Sequence, residues 1–234
     1  MAALRVATYN VHRCIGTDRR RDPERVGEVL RELAADVIGL QEVDSHPDGA
    51  GSLGQLDVLE RATGLHAVAG PILLHHRGQF GNAILTRHPV RAIRRIDLTV
   101  PRHEPRGALD LDLEVEGRPL RVVVAHLGLF WADRVWQVRR LLTLLGDDRD
   151  RATVLLGDFN EWRPRARPVR DLDRRLGRIP ALATFPSRRP VFALDRIWAQ
   201  PDAVLSDFVV HRTALARVAS DHLPLRATVA FETD

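Results

Sequence analysis

Short apolar runs recur along this chain, and the spacing of their hydrophobic positions changes from one region to the next. Asp22-Pro23 reads as a helix start, the aspartate as cap and the proline in the first turn, followed by Val26, Val29, Leu30 and Leu33 at helical spacing. The expectation is a helix over 23–35 that covers a sheet. DVIGLQ then reads as a buried strand, and SLGQLDVLERATG as a second helix closed by Gly64. In the middle the pattern turns strand-like: HAVAGPILLHH, FGNAILTRHPV, RAIRRIDLTV, GALDLDLEVEG and RPLRVVVAHLG are separated by Gly, Pro or charged turns. Glu116-Gly117-Arg118 reads as a hairpin turn between two long strands. A helix from Trp131 to Leu145, the strand ATVLLG, an arginine-rich connection over 161–190 and strands near 191–199, 204–211 and 224–231 follow.

No linker, repeat or low-complexity stretch interrupts the order, so one domain over 1–234 is expected. Mixed strands with helices at both ends of the order predict two packed sheets flanked by helices, with strand ends gathered at one rim. Six polar clusters sit at or within the ends of the apolar runs: Tyr9-Asn10, Gln41-Glu42, Ala125-His126, Gly157-Asp158-Phe159-Asn160, Leu194-Asp195-Arg196 and Ser220-Asp221-His222. Placing such groups there carries a steep desolvation cost unless they converge. Carboxylates, amides and two histidines that converge read as a hydrolytic metal site.

Composition narrows the class. The 44% hydrophobic content is that of a soluble globular protein, and no uncharged apolar run reaches the roughly 18–20 residues that span a bilayer. The first residues carry no basic stretch followed by an apolar core, and a cytoplasmic protein is expected. Cys14 is the single cysteine, which excludes an intrachain disulfide. There is no lysine, so all 35 basic residues are arginines, while the net charge is only +4. Bulk charge therefore does not repel polyanions, and arginine matters locally, because its planar fork grips phosphate oxygens in pairs.

TYNVH, LQEVD, GNAILTRHPV, AHLG, GDFNE, LDRIW and SDHLP occur in an order and spacing that resembles the endonuclease/exonuclease/phosphatase family, the DNase I-like fold, from Asn10 to His222. GDFN followed by SDH, with QE and HLG upstream, is specific in combination. The resemblance implies an α/β (α+β) four-layered αββα sandwich and divalent-metal-dependent cleavage of phosphate esters, usually with magnesium, manganese being able to replace it.

Glu42 is the first metal candidate, since a hard cation prefers oxygen and magnesium takes only one or two carboxylates. Asn10 can offer an amide oxygen to the same ion or hold Glu42. Asp158 and Asn160 are two apart, so on an extended segment their side chains share one side. By resemblance, Asp158 orients or deprotonates the attacking water and Asn160 holds the phosphate or nucleophile. Asp195 and His222 resemble the family's carboxylate and imidazole pair, which makes His222 a general base or a cationic phosphate ligand. Asp221 would be a second metal ligand or an orienting carboxylate, and His126 a donor to a nonbridging phosphate oxygen. Arg106 and Arg188 lie on connections that similar proteins direct toward the active-site rim. Gln137 and Asn82 support the site or pack, and Trp131, Trp136, Trp162 and Trp198 read as core or rim rather than stacking platforms.

Two departures bear on substrate. No tyrosine aligns with the one in abasic-site endonucleases, and His126 has no glutamate partner of the DNase I kind; the segment LFWADRVWQVRRL looks more like the small bacterial members and the sphingomyelinase-like branch. The first reading is a magnesium-dependent phosphodiesterase or phosphatase acting on a small-molecule or lipid-head-group ester. The second is a nuclease on DNA or RNA, with residues 161–190 tracking the backbone and a steep salt dependence. A non-catalytic module on the same fold is the third, and the retained polar set argues against it. Nothing in the sequence calls for an obligate protein partner.

Overall fold

The structure, a computed structural model, describes residues 3–44, 54–75, 78–146, 151–200 and 203–231. Eleven strands are found there: β1 (Ala3–Asn10), β2 (Val37–Asp44), β3 (His66–His75), β4 (Gly78–Thr86), β5 (Val90–Asp97), β6 (Gly107–Val115), β7 (Arg118–His126), β8 (Thr153–Asp158), β9 (Asp195–Gln200), β10 (Ala203–Val210) and β11 (Leu225–Phe231). They form a six-stranded sheet, β10-β11-β1-β2-β4-β3, and a five-stranded sheet, β5-β6-β7-β8-β9. Both sheets are mixed, because β1 with β2 and β7 with β8 are parallel while their other neighbours are antiparallel. The helices are α1 (Pro23–Leu33), α2 (Gln55–Thr63), α3 (Trp131–Leu145), α4 (Arg167–Leu176) and the short α5 (Ala216–Ala219).

Three apolar layers hold this together. Leu4, Val6, Val37, Leu111, Val122, Val124, Val154, Leu156 and Ile197 pack between the two sheets. Val26, Val29, Leu30 and Leu33 of α1 and Leu59 of α2 cover the outer face of the first sheet against Ile38 and Leu40. Val138 and Leu141 of α3 and Val169 and Leu172 of α4 cover the second sheet against Leu155 and Trp198. The order is helix, sheet, sheet, helix, the expected αββα sandwich.

Local chemistry explains the element ends. The Asp22 carboxylate accepts from Arg25 N–H at 3.0 Å and caps α1. That helix stops at Leu33, short of the expected 35, because Ala34 turns left-handed at φ 46°. The expected start of α2 at Ser52 lies outside the described residues. Glu116 and Gly117 both have positive φ between the paired Val115 and Arg118, the backbone of a tight type I′ hairpin. The arginine-rich connection over 161–190, for which no helix is expected, contains α4, with Pro168 in its first turn. The expected strand near 191 begins only at Asp195.

Strand alternation positions the site. Leu4 and Val6 face the second sheet, so Thr8 and Asn10 follow on the same face of β1. In the same way Val122 and Val124 lead to His126, Val154 and Leu156 lead to Asp158, and Ala199 and Ile197 lead back to Asp195. His126, Asp158 and Asp195 are direct neighbours across three strands. The inter-sheet layer thus ends in a polar row at one edge of the sandwich. Gly157 is fixed beside it, because its φ is 146° and a Cβ there would collide with the Ala125 backbone carbonyl. Gly157→Ala is expected to lower folding stability by about 3 kcal/mol or more; urea unfolding within about 0.5 kcal/mol of the parent would contradict it.

Candidate active site

Asn10 sits at the centre of this row. Its Nδ2 donates to Glu42 Oε1 and to Asp158 Oδ2, each at 3.0 Å, and its Oδ1 accepts from His12 N–H at 3.0 Å. The first sheet is thereby joined to the second through one amide. Asp158 Oδ2 also lies 3.7 Å from His126 Nε2 and 3.7 Å from His222 Nε2. His222 Nδ1 meets Asp195 Oδ2 at 2.8 Å, and Thr184 Oγ1 donates to that same oxygen at 2.6 Å. Asp195 therefore holds the ring with its second nitrogen turned toward Asp158. The Asp195 Oδ1 atom is buried with no partner.

Two site residues stand in left-handed backbone. Glu42, at φ 57°, lies where the β2–β4 register shifts between Leu40 and Val43, and this bulge re-aims its side chain. Asn160, at φ 48°, follows the end of β8, with its N–H donating to Asp158 Oδ1 at 2.9 Å. The segment is an Asx turn, which corrects the expectation that Asp158 and Asn160 share one side of an extended strand. Asn160 is instead brought back by the turn, and its Nδ2 reaches Leu127 O at 2.9 Å and His126 Nε2 at 3.2 Å. Left-handed backbone at a non-glycine residue carries strain of about 1–2 kcal/mol, and such strain gathers where geometry serves a site.

The two histidines are perturbed in opposite directions. Burial pushes the His126 pKa down to about 3, against the pull of Asp158 and with the help of the nearby Arg106 cation. Burial also works against a charged His222, but the Asp195 and Asp158 carboxylates outweigh it and the pKa is raised to about 10. At neutral pH the site holds one neutral imidazole and one imidazolium. With Asn160 Nδ2 donating to Leu127 O, the neutral His126 presents Nε2 as an acceptor.

Above this floor opens a cavity of about 310 Å³. Arg106 and Asp221 line it, as do Asn10, Glu42, His126, Asp158, Asn160 and His222. Arg106 is buried, with Nε on Leu127 O at 3.2 Å and one terminal nitrogen on Glu104 at 2.8 Å. Asp195 lies behind His222. Arg188 is not among the lining residues; its Nε bonds Thr17 Oγ1 at 3.2 Å. Trp162, expected in core or rim, stands on the cavity wall; sequence reasoning missed Arg13, Phe80, Glu104, Leu129 and Phe185 there, and Thr184 behind Asp195. Their signal is adjacency to motifs: Phe80 precedes GNAIL, and Leu129 follows AHLG. Gln137 and Asn82 act as supports, Gln137 accepting from Gly128 N–H at 2.8 Å and Asn82 donating to Gly107 O at 2.8 Å.

The donor chemistry fits a divalent cation. Asp158, Asp195 and His222 offer ligand atoms within 4.8 Å of one another. Asp195 Oδ2 is already engaged by His222 and Thr184, however, so Asp195 serves the histidine rather than an ion. Glu42 lines the cavity with a carboxylate, the donor type a hard cation takes, whereas Asn10 turns its Nδ2–H toward Glu42 and gives its Oδ1 to His12 N–H, which corrects the expectation of an Asn10 oxygen on the ion and leaves Asn10 holding Glu42.

Carboxylates, amides and two oppositely perturbed imidazoles across the edge of an αββα sandwich are the equipment of a phosphoester hydrolase. The chain belongs to the Endonuclease/Exonuclease/phosphatase family, whose model matches residues 7–222. It is 29% identical to the "Uncharacterized protein YbhP" of Escherichia coli (strain K12) over 245 aligned residues, covering 97% of this chain and 96% of that one. Among solved structures it is similar to an endonuclease/exonuclease/phosphatase from Beutenbergia cavernae, with a TM-score of 0.81, 23% identity and coverage of 99% of this chain and 72% of that one. A mannosyl-6-phosphatase from Bacteroides thetaiotaomicron shares the fold with a TM-score of 0.77, 17% identity and coverage of 97% and 100%. No helix among the described residues is long and apolar enough to cross a membrane.

Proposed function

We propose that this chain hydrolyses small phosphate esters, as a phosphodiesterase or phosphatase, with magnesium as its cation and manganese as a substitute. The observation that carries the reading is the Asp158 carboxylate, bonded by Asn10 and approached by both histidines at the cavity floor. A cavity of about 310 Å³ suits a small ester or a single head group. The arginine-rich stretch supports the same choice over a nucleic-acid groove, since its Arg170 and Arg174 belong to α4 and not to the cavity lining.

Asp158 accepts the proton of the attacking water. An imidazolium cannot act as base, so His222, held by Asp195 and Thr184, places its positive charge and Nε2–H against a phosphoryl oxygen. Asn160 orients the nucleophile or the phosphate through its amide. Arg106 exchanges the Glu104 carboxylate for a phosphate oxygen. Glu42, steadied by the Asn10 Nδ2–H, would hold the cation, and Asp221 would orient groups or serve a second ion. When bound, the cation supplies charge against the phosphoryl oxygens. Glu42→Gln is therefore expected to raise half-saturation by magnesium about tenfold or more; an unchanged metal titration would remove Glu42 as principal ligand.

The deciding experiment is magnesium-dependent, chelator-reversible cleavage across one panel of phosphomonoesters, small diesters, phospholipid diesters, plasmid DNA and short RNA, with His222→Ala as blank. Cleavage of small or lipid esters with nucleic acid untouched is expected. Cleavage confined to DNA or RNA would replace this reading with a nuclease.

A further inference from the structure

One face of the cavity has chemistry that phosphate transfer does not need. The Phe185 ring stands 4.8 Å from the His222 ring, Trp162 stands 5.8 Å from Phe185 at 87°, and Phe192 stands 4.8 Å from Trp162 at 77°. An aromatic chain thus runs from the imidazole of the floor outward. Trp162 and Phe185 line the cavity, yet Trp162 remains 39% exposed, whereas Trp198 is fully buried in the core.

Trp162 is exposed without being loose. Before it, buried Glu161 pairs with Arg134 at 3.1 Å, and the other Glu161 oxygen accepts from Arg163 N–H at 3.1 Å. Phe185 and Phe192 are tied by backbone hydrogen bonds of 3.1 and 2.9 Å in both directions. Phe185 also adjoins Thr184, the residue bonded to Asp195. A rigid, half-covered indole costs little further entropy when a ligand covers it, the property that makes aromatic side chains effective contact surfaces.

We propose that Trp162, supported by Phe185 and Phe192, forms a subsite for the group esterified to the phosphate and selects esters in which that group carries a planar aromatic ring. The proposal rests on the reading of the floor as a phosphate site. Phe185 and Trp162 line the same cavity as His222 and Arg106, so the ester substituent of a phosphate held there has this wall within reach, and a flat ring can meet the indole. A short alkyl group cannot cover that wall, and a puckered saturated ring loses the stacked contact.

The test is calorimetric binding of phenylphosphonate, cyclohexylphosphonate and methylphosphonate to the full chain with magnesium present. These phosphonates are not hydrolysed, so the readout does not depend on turnover. Phenylphosphonate is expected to bind about tenfold more tightly than methylphosphonate and severalfold more tightly than cyclohexylphosphonate. Trp162→Ala should bring the three to similar affinity, and Trp162→Phe should keep most of the preference. A nucleoside 5′-phosphonate run alongside separates a nucleobase from a simple aryl group as the preferred ring. Equal binding of the three by the parent protein, or a preference that survives Trp162→Ala, overturns the subsite while the phosphate reading stands. Binding of none of them overturns both.

Discussion

Asp158→Asn should lower turnover about a thousandfold with the folded state intact. The substitution is chosen for what it keeps. An asparagine retains an oxygen to accept the Asn160 N–H that now bonds Asp158 Oδ1 at 2.9 Å, so the Asx turn survives. What it loses is the negative charge facing two histidines, the oxygen that accepts from Asn10 Nδ2 and the capacity to take a proton from water. The loss should appear in kcat at saturating magnesium and substrate, because a proton acceptor acts in the transition state and not in ground-state binding. His222→Ala should fall by a similar factor, and the double variant by little more than either alone, since the two act on one step. Near-parental turnover in a purified variant with parental circular dichroism would end the assignment.

The second large effect is on stability. His222 has a folded pKa of about 10, above the ordinary 6.5. Its contribution is fully present below pH 6.5 and is lost as pH rises toward 10, because there only the native state holds the proton. His126, at about 3, is the mirror case: between pH 6.5 and 3 only the unfolded state takes the proton, so acidification favours unfolding. One proton difference corresponds to about 1.4 kcal/mol per pH unit. These two groups together place a stability maximum near pH 6.5. Chemical denaturation across pH 4–9 in chelator should show both limbs; His222→Gln should flatten the alkaline one and His126→Asn the acid one. A His222→Gln profile parallel to the parent's above pH 7 would show that the imidazolium is not held in the native state.

Much of the fold was legible because its signals are local. The cap at Asp22, the spacing of Val26, Val29, Leu30 and Leu33, and the Glu116-Gly117 turn each depend on a few neighbouring residues. Helix α3 runs over the expected Trp131–Leu145. Helix α4 is hard to read from sequence although Val169, Leu172 and Leu176 repeat at helical spacing, because six arginines between 163 and 175 mask three apolar positions. For Trp162 the sequence leaves core and rim open, since nothing in a linear sequence tells a covered indole from one half open to a cavity.

The residue types and order of the motifs were determined by the sequence alone, and so was the strand parity that turns His126, Asp158 and Asp195 to one face. Alternation along a strand is a property of the backbone and needs no partner. What only the tertiary structure decided are distances between residues far apart in the chain. Asn10 bridging Glu42 and Asp158, Thr184 joining Asp195, and the opposite pKa shifts of two histidines all depend on which surfaces are buried against each other. Hydrogen bonding and desolvation act over a few ångströms of space, and packing two sheets sets that space.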